Sequence, residues 1–575
     1  MRHLSLRIVH IFSTFASVLA LQSPLYRTSY DETLPFPPPY RIAIIGAGAA
    51  GASASYYLRT FSEEAQVPLN ITIFDRNPYI GGRSTTVDAY SDPSQPVELG
   101  SSIYVSVNKI LVDAVNQFNL SHIDPEFAIE DPENKTPGLG FWNGREFVYT
   151  VHGNGYWDLV KLAWHYGWYS LFRTQQLMKD MVGRFLQLYD EPFFPWGSLS
   201  EAVYEIGLSD MTRTSGKEYL KEKGVSDKFA SEFVQGATRV NYAQNLANIH
   251  AVEAMVCMAT EGAMSVKGGN WQIFANMIGI SANRHLLSTE VKTIERRQDG
   301  TFTVGAKMAC SNTEADDPSE STTSSDFDAI ILAAPYQFLS INFTPSLQFI
   351  PETVPYVILH VTLFTSPHRL SPSAFNLPPD QHVPHTILTT LPENEDPAPA
   401  NTSQAGTPGF FSISTLRQVT NPSNPDRPEY LYKVFSPTSI NATFLARILG
   451  LSEPSPITEP FPIYESGTIW DLPKDEVTWI HRKLWQSYPY EFPRNKFEKL
   501  RLDDGIWYTA GMEGFISTME TSALSGKNVA KLVVDELVRR RDYGSGDPTM
   551  MMEAESEYPG ESLVDGERQE LRVKL

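Results

Sequence analysis

Apolar positions along this chain follow two periods. Strand-length runs, Tyr40-Arg-Ile-Ala-Ile-Ile45, Ile71-Thr-Ile-Phe-Asp75, Thr289-Glu-Val-Lys-Thr-Ile-Glu295 and Asp328-Ala-Ile-Ile-Leu-Ala-Ala-Pro335, are bounded by turn residues. Between them, spacings such as Leu159, Leu162, Ala163 and Tyr166 fit amphipathic helices, in a stretch rich in aromatics that runs from Tyr156 through Trp157, Trp164, Trp168, Tyr169 and Phe172 to Trp196. Most of these rings are expected to be helix core. A second group of strand-like runs, Tyr356-Val-Ile-Leu-His-Val-Thr-Leu-Phe364 and Tyr430-Leu-Tyr-Lys-Val-Phe435, predicts a further sheet. The Pro-, Asn- and Ser-rich stretch 380–428 reads as a long surface excursion, and 312–325 as a flexible hairpin tip. No internal repeat is visible.

The apolar run Ile8–Leu21 is of another kind. It follows Arg2, His3 and Arg7, is short for a membrane span, and ends with Val18 and Ala20 at the −3 and −1 positions of a cleavage site. It predicts a secretory signal at 1–20, with an N-terminal anchor as the alternative. Six sequons, at Asn70, Asn119, Asn134, Asn342, Asn401 and Asn441, fit that route. No other segment is long and apolar enough for a stable span, so the mature chain is expected in the secretory pathway, secreted or lysosomal/vacuolar.

Charge narrows the partners. With 46 basic against 67 acidic side chains the formal net charge is −21, which argues against nucleic acid. Two cysteines, Cys257 and Cys310, rule out a disulfide scaffold; one disulfide and two free thiols are both allowed. No metal cluster or nucleophile triad stands out, and His250, His360 and His481 read as structural.

The chemistry is concentrated in glycines. The first run ends in Gly46-Ala-Gly48-Ala49-Ala-Gly51, and a helix-compatible segment follows. In a strand–turn–helix unit Gly46 allows the tight turn, Gly48 lets backbone approach a pyrophosphate, and Gly51 lets helix and strand pack closely. The second run ends in Asp75, placed to accept bonds from ribose hydroxyls. Beyond it come Arg76, then Gly81-Gly82-Arg83 and Val97-Glu-Leu-Gly-Ser101. Near the C-terminus, Gly505-Ile-Trp-Tyr-Thr-Ala-Gly511-Met-Glu513-Gly514 is a strand and glycine turn leading to a helix. Ser517 and Glu520 there suggest a capping box.

These ordered segments resemble the flavin amine-oxidase and glutathione-reductase-like superfamily. The resemblance implies FAD as cofactor, with Gly82 and Arg83 near the phosphates and the Val291 backbone near adenine. It also implies Glu513 near the ribityl or phosphate region and the start of the last helix, around Met519, at the flavin. The fold class expected is α/β, a Rossmann-like FAD-binding domain of the GR2 type with a discontinuous α+β substrate domain. The FAD-binding parts are expected at 40–120, 271–343 and 501–541, a mostly helical substrate region at 121–270, a sheet-containing substrate domain at 344–500, and an acidic disordered tail at 542–575.

A narrower resemblance rests on Val234-Gln-Gly-Ala-Thr-Arg-Val-Asn-Tyr-Ala-Gln244, Asn248-Ile-His-Ala, Ser265-Val-Lys-Gly-Gly-Asn270 and Ser517-Thr-Met-Glu-Thr-Ser-Ala523. These segments are similar to the prenylcysteine oxidase family, which implies an FAD-dependent thioether oxidase. It would act on farnesyl- or geranylgeranyl-cysteine with O2, yielding cysteine, prenyl aldehyde and hydrogen peroxide. Candidate substrate-side residues are Arg239, Asn241, Tyr242 and Gln244, and the flavin itself carries the hydride step. A secreted flavin amine oxidase shares all the cofactor motifs and is the main rival; an isoprenoid desaturase or isomerase, and a catalytically silent flavoprotein or lipid-binding module, are the others.

Overall fold

The computed structural model describes residues 38–123, 136–153, 156–308, 323–398, 404–452 and 472–543. The signal sequence, Cys310, the sequons at Asn134 and Asn401, the centre of the 312–325 insert and the tail beyond Tyr543 lie outside the described residues.

A six-stranded sheet organises the cofactor end. Its strands are β1 (Tyr40–Ile45), β2 (Leu69–Phe74), β3 (Arg284–Leu286), β4 (Ala329–Leu332), β5 (Arg501–Asp503) and β6 (Ile506–Tyr508), in the spatial order β5-β6-β4-β1-β2-β3. All neighbours are parallel except the edge hairpin β5–β6. Ile42, Ala43 and Ile44 of the central β1 have no exposed surface, as expected of a parallel strand covered on both faces.

Helix α1 (Ala49–Glu64) crosses from β1 to β2 and packs on the long last helix, Met519–Tyr543. Small residues set that contact. A Cβ on Gly526 would lie 2.2 Å from the Ala50 carbonyl oxygen, and the Ser53 hydroxyl donates to the Ala523 carbonyl at 2.6 Å. The last helix runs two residues beyond the expected boundary at 541, held by buried Val533, Val534 and Leu537.

A four-stranded sheet, from Thr289–Arg296, Phe302–Met308, Thr323–Phe327 and Asn342–Thr344, flanks this unit. A seven-stranded sheet forms the other wall of the cleft, in the order Trp479–Pro489, Tyr356–Ser366, Pro428–Ser436, Ser412–Thr420, Thr386–Thr389, Leu139–Trp142, Phe147–Val151.

One expectation is corrected by this sheet. Residues 380–428 are not a surface excursion: Thr386–Thr389 and Ser412–Thr420 are inner strands, with Ile387 and Ile413 fully buried. The region 121–270 is mostly helical in its described residues, and Leu139–Trp142 and Phe147–Val151 add two strands to the same sheet.

The helical part includes α2 (Lys109–Gln117), α3 (Tyr156–Tyr166), α4 (Trp168–Phe185), α5 (Gln235–Tyr242) and α6 (Ala251–Val256), followed by α7 (Trp271–Ser281) against α1; the last helix is α8. A second expectation fails here. Trp157, Trp164, Trp168, Tyr169 and Phe172 are exposed rather than core, because Ala163, Tyr166, Leu177 and Met181 already make the inward faces of α3 and α4.

Candidate functional site

One continuous cleft runs from the glycine turn after β1 to the face of the seven-stranded sheet, with a cavity of about 440 Å³. Its first part is shaped by backbone. Gly46 has φ +116°, a region open to glycine, and a Cβ there would lie 2.7 Å from the Ala333 carbonyl oxygen. Gly51 meets the Gly46 carbonyl oxygen, at 1.9 Å from an imagined Cβ, so it packs helix on turn and does not line the cleft.

Gly48 differs from both. A Cβ there would come no closer than 3.9 Å to the rest of the chain, so the space beside it opens into the cleft. As N-cap of α1, Gly48 provides no side-chain cap, leaving the first-turn amides of the helix open. Open amides at the positive end of a helix suit a phosphate. Gly82, at φ +62°, faces Gly48 across 3.2 Å (imagined Cβ to Cα) and completes the cradle.

Asp75 lines the cleft, but its carboxylate first organises the turn. One oxygen accepts the Ala47 amide at 2.7 Å, and the other accepts the Asn77 amide at 2.7 Å and side chain at 3.0 Å. The oxygen that accepts only the Ala47 amide has lone-pair capacity left for a ribose hydroxyl. Arg76 lines the cleft and donates to the Phe338 carbonyl at 3.2 Å. Val291 lies at a register shift in its strand and also reaches the cleft.

Arg83 and Glu513 line the middle of the cleft as an ion pair, 2.5 Å apart, and the Arg83 guanidinium donates as well to the Ser487 carbonyl at 2.7 Å. The Tyr356 hydroxyl donates to the second Glu513 oxygen at 3.0 Å. Arg83 is therefore neutralised within the protein, and its pKa is held up by the Glu513 charge against burial.

Gly511, expected at the cofactor, does not line the cleft. Its Cα packs on Glu498, whose Cβ would be 2.9 Å from an added Cβ. The expected Ser517–Glu520 box also fails. Thr518 caps α8, exchanging bonds with Thr521: the Thr521 amide reaches the Thr518 hydroxyl and the Thr518 amide the Thr521 hydroxyl, both at 3.1 Å. Glu520 instead accepts the Ile110 and Leu111 amides at the start of α2, at 2.8 and 3.0 Å. Ser517, Thr518, Met519 and Ser522 present the start of α8 to the cleft.

None of the four substrate-side candidates lines the cleft. Arg239, with no exposed surface, donates to Thr389, Asn245 and the carbonyls of Gln404 and Ala405, stapling α5 to the seven-stranded sheet; burial pulls its pKa down to about 9. Asn241 bonds the Ala237 carbonyl. Gln244 bonds the Tyr242 and Pro489 carbonyls and accepts the Glu491 amide. Tyr242 comes nearest, donating to the Ser517 carbonyl at 3.3 Å from behind.

Behind Ser517 lies a buried group. Glu253 accepts the Ser517 amide at 3.1 Å, and its own amide donates to His250 Nδ1 at 3.2 Å. That bond leaves the proton of the neutral ring on Nε2, 3.6 Å from Glu491. Burial lowers the His250 pKa to about 3 and raises both carboxyls.

What sequence reasoning missed is the sheet wall: Tyr356, Leu359, Val361, Phe435, Lys483 and Trp485. The Lys483 ammonium sits over the Trp485 ring, 5.6 Å from its centroid, and makes no ion pair among the described residues. Strand alternation signalled two faces in Tyr356–Ser366 but not which one meets the cleft.

Comparison with known proteins agrees with this geometry. The family described as prenylcysteine lyase matches residues 152–544, and the NAD(P)-binding Rossmann-like domain family matches residues 44–118. Farnesylcysteine lyase of Arabidopsis thaliana is 26% identical over 532 residues, covering 88% of this chain and 91% of its own. Prenylcysteine oxidase 1 of Homo sapiens is 27% identical, covering 86% of this chain and 89% of its own. Among solved structures, a putrescine oxidase variant from a redesign of cofactor binding superposes with TM-score 0.50 at 14% identity, over 87% of this chain and all of that one; the likeness is one of fold.

Proposed function

The chain belongs to the prenylcysteine lyase family, and from that premise we propose that it is an FAD-dependent oxidase cleaving the thioether of farnesyl- or geranylgeranyl-cysteine. The reaction balances as prenylcysteine, O2 and water giving cysteine, prenyl aldehyde and hydrogen peroxide. When bound, the flavin supplies the two-electron oxidation, accepting hydride from the allylic carbon next to sulfur and passing electrons to O2.

The residues fit the dinucleotide. The Gly48–Gly82 cradle and the open first turn of α1 suit the pyrophosphate, Asp75 the ribose, and the Val291 strand the adenine end. The start of α8 turns a positive dipole toward the middle of the cleft, where negative charge on a reduced ring would be favoured.

The single observation that carries the substrate class is the sheet wall. Leu359, Val361, Phe435 and Trp485 offer an apolar, aromatic surface for an isoprenoid, and Lys483 offers one cation for an amino-acid carboxylate. Burying the chain there orients the carbon beside sulfur and keeps bulk water out. A cationic amine is a poorer fit, because Lys483 repels it and the Glu513 charge is already paired with Arg83. We place this activity in the secretory pathway, secreted or lysosomal/vacuolar, on the N-terminal signal and the sequons.

The test is purified protein loaded with FAD and mixed with farnesylcysteine without oxygen. Flavin bleaching, followed on aeration by peroxide and free thiol, supports the proposal. Bleaching by primary amines with no response to prenylcysteines overturns it.

A further inference from the structure

Six of the fourteen exposed large apolar side chains among the described residues fall between positions 157 and 172. Trp164 is 90% exposed, and Trp157, Trp168, Tyr169 and Phe172 are each exposed by 59% or more. Packing does not require them outside. Ala163 and Tyr166 of α3 and Leu177 and Met181 of α4 fill the inward faces, and the Tyr166 ring meets Phe229 edge-on at 5.3 Å.

Helical spacing groups the outward rings. Trp157, Lys161 and Trp164 share one face of α3, and Trp168 and Phe172 share one face of α4 with Tyr169 beside them. These exposed rings lie on two helices joined at Gly167, an apolar corner of a kind that monomeric proteins rarely leave uncovered without a use.

Charge points to the occupant. The whole chain carries −21, yet α3 and α4 hold four basic side chains against two acidic ones, and one of those acids, Asp158, is buried. Beside Phe172 a surface groove is lined by Arg173, Lys179, Arg184 and Lys223, with Asp180 and Asp210 as its acids. Asp180 is taken by Arg184 at 3.0 Å, whereas Lys179 and Lys223 make no ion pair among the described residues. Lys223 rests over the Tyr219 ring at 5.2 Å, and aromatic rings beside lysines without an acidic partner are the composition of a bilayer interface, where the rings sit at headgroup depth and the ammonium groups meet phosphates. A 90%-exposed Trp164 has little to fix its rotamer, which costs entropy against a shaped protein pocket but little in a fluid layer. No helix among the described residues is long and apolar enough to cross a membrane, so contact from this corner lies on the surface.

We propose that the α3–α4 corner docks on a phospholipid bilayer, with Trp157, Trp164, Trp168, Tyr169 and Phe172 in the headgroup–acyl boundary and Lys179 and Lys223 on headgroup phosphates. The proposal stands apart from the substrate reading, because it needs neither flavin nor substrate.

The test is flotation of the full chain with phosphatidylcholine vesicles carrying a minority of phosphatidylserine. Wild type floats with the vesicles, and inorganic phosphate does not release it. Trp164→Ser/Trp168→Ser/Phe172→Ser lowers partitioning by about tenfold or more with thermal midpoint unchanged, and Lys179→Gln/Lys223→Gln lowers it by about threefold at low salt only. The proposal is overturned if wild type stays with the unbound protein, if the triple variant floats like wild type, or if wild type is a dimer that the triple variant dissolves.

Discussion

The Arg83 guanidinium and the Glu513 carboxylate, 430 positions apart in sequence, meet at 2.5 Å in the middle of the cleft. Glu513 is nearly inaccessible, and Tyr356 holds its other oxygen. Arg83→Met therefore leaves a buried carboxylate short of its main partner. Stability should fall by roughly 1–3 kcal/mol in urea unfolding, given the partial exposure of Arg83. The double variant Arg83→Met/Glu513→Leu should recover most of that loss, since an apolar pair tolerates burial better than one stranded charge. A double variant as unstable as the single one would show that the pair is not the cause.

Gly48 and Gly51 separate binding from folding. Valine at Gly48, whose φ of −80° and ψ of −169° suit any residue, meets no protein atom within 3.9 Å at its Cβ. Gly48→Val should change stability by no more than about 1 kcal/mol and yet abolish FAD retention, read as loss of the flavin absorbance. Gly51→Val drives a Cβ into the Gly46 carbonyl and should instead yield little folded protein. Yellow Gly48→Val protein would refute the assignment of this loop.

Lys483→Met tests the amino-acid end. Removing one ammonium from a carboxylate contact should raise KM for farnesylcysteine by about tenfold, with kcat little changed. The methyl ester of farnesylcysteine has no carboxylate for Lys483 to meet, so its KM should move little. Equal changes for acid and ester would assign Lys483 to the pocket wall alone.

Stability should depend on pH through Glu520. Burial, partly offset by the Ile110 and Leu111 amides and the Tyr189 hydroxyl, raises its pKa from 4.5 to about 7. The folded chain thus keeps a proton that the unfolded chain releases. The contribution is complete below pH 4.5 and is lost as pH rises to about 7, worth on the order of 3 kcal/mol. Burial acts in the same direction on Glu253 and Glu491. Urea midpoints should fall across this window for wild type, and Glu520→Gln should flatten the slope. A wild-type midpoint that rises across it contradicts the sign.

What sequence made readable here was local. Gly46, Gly48 and Gly51 sit within one turn, and their spacing follows from backbone geometry that any strand–turn–helix unit must satisfy. Asp75 ended a run that could be seen to stop at a carboxylate. The cap of α8 was misread by one residue, because Ser517 and Thr518 are both good caps and only three-dimensional contact shows Glu520 reaching α2 instead. The substrate wall was hidden for a different reason: Leu359 and Trp485 are cross-strand partners 126 positions apart, and nothing near either residue names the other. Arg239 was misassigned because a buried arginine joined to carbonyls looks, in one dimension, like one held ready for a ligand.

The bonds from Glu520 to the amides of Ile110 and Leu111 reach back 410 and 409 residues. During synthesis the N-terminal third must wait, its α2 uncapped and its cleft missing one side, until almost the whole polypeptide has left the ribosome. Premature termination anywhere before that glutamate should therefore give no partly working product, only chains for quality control to remove.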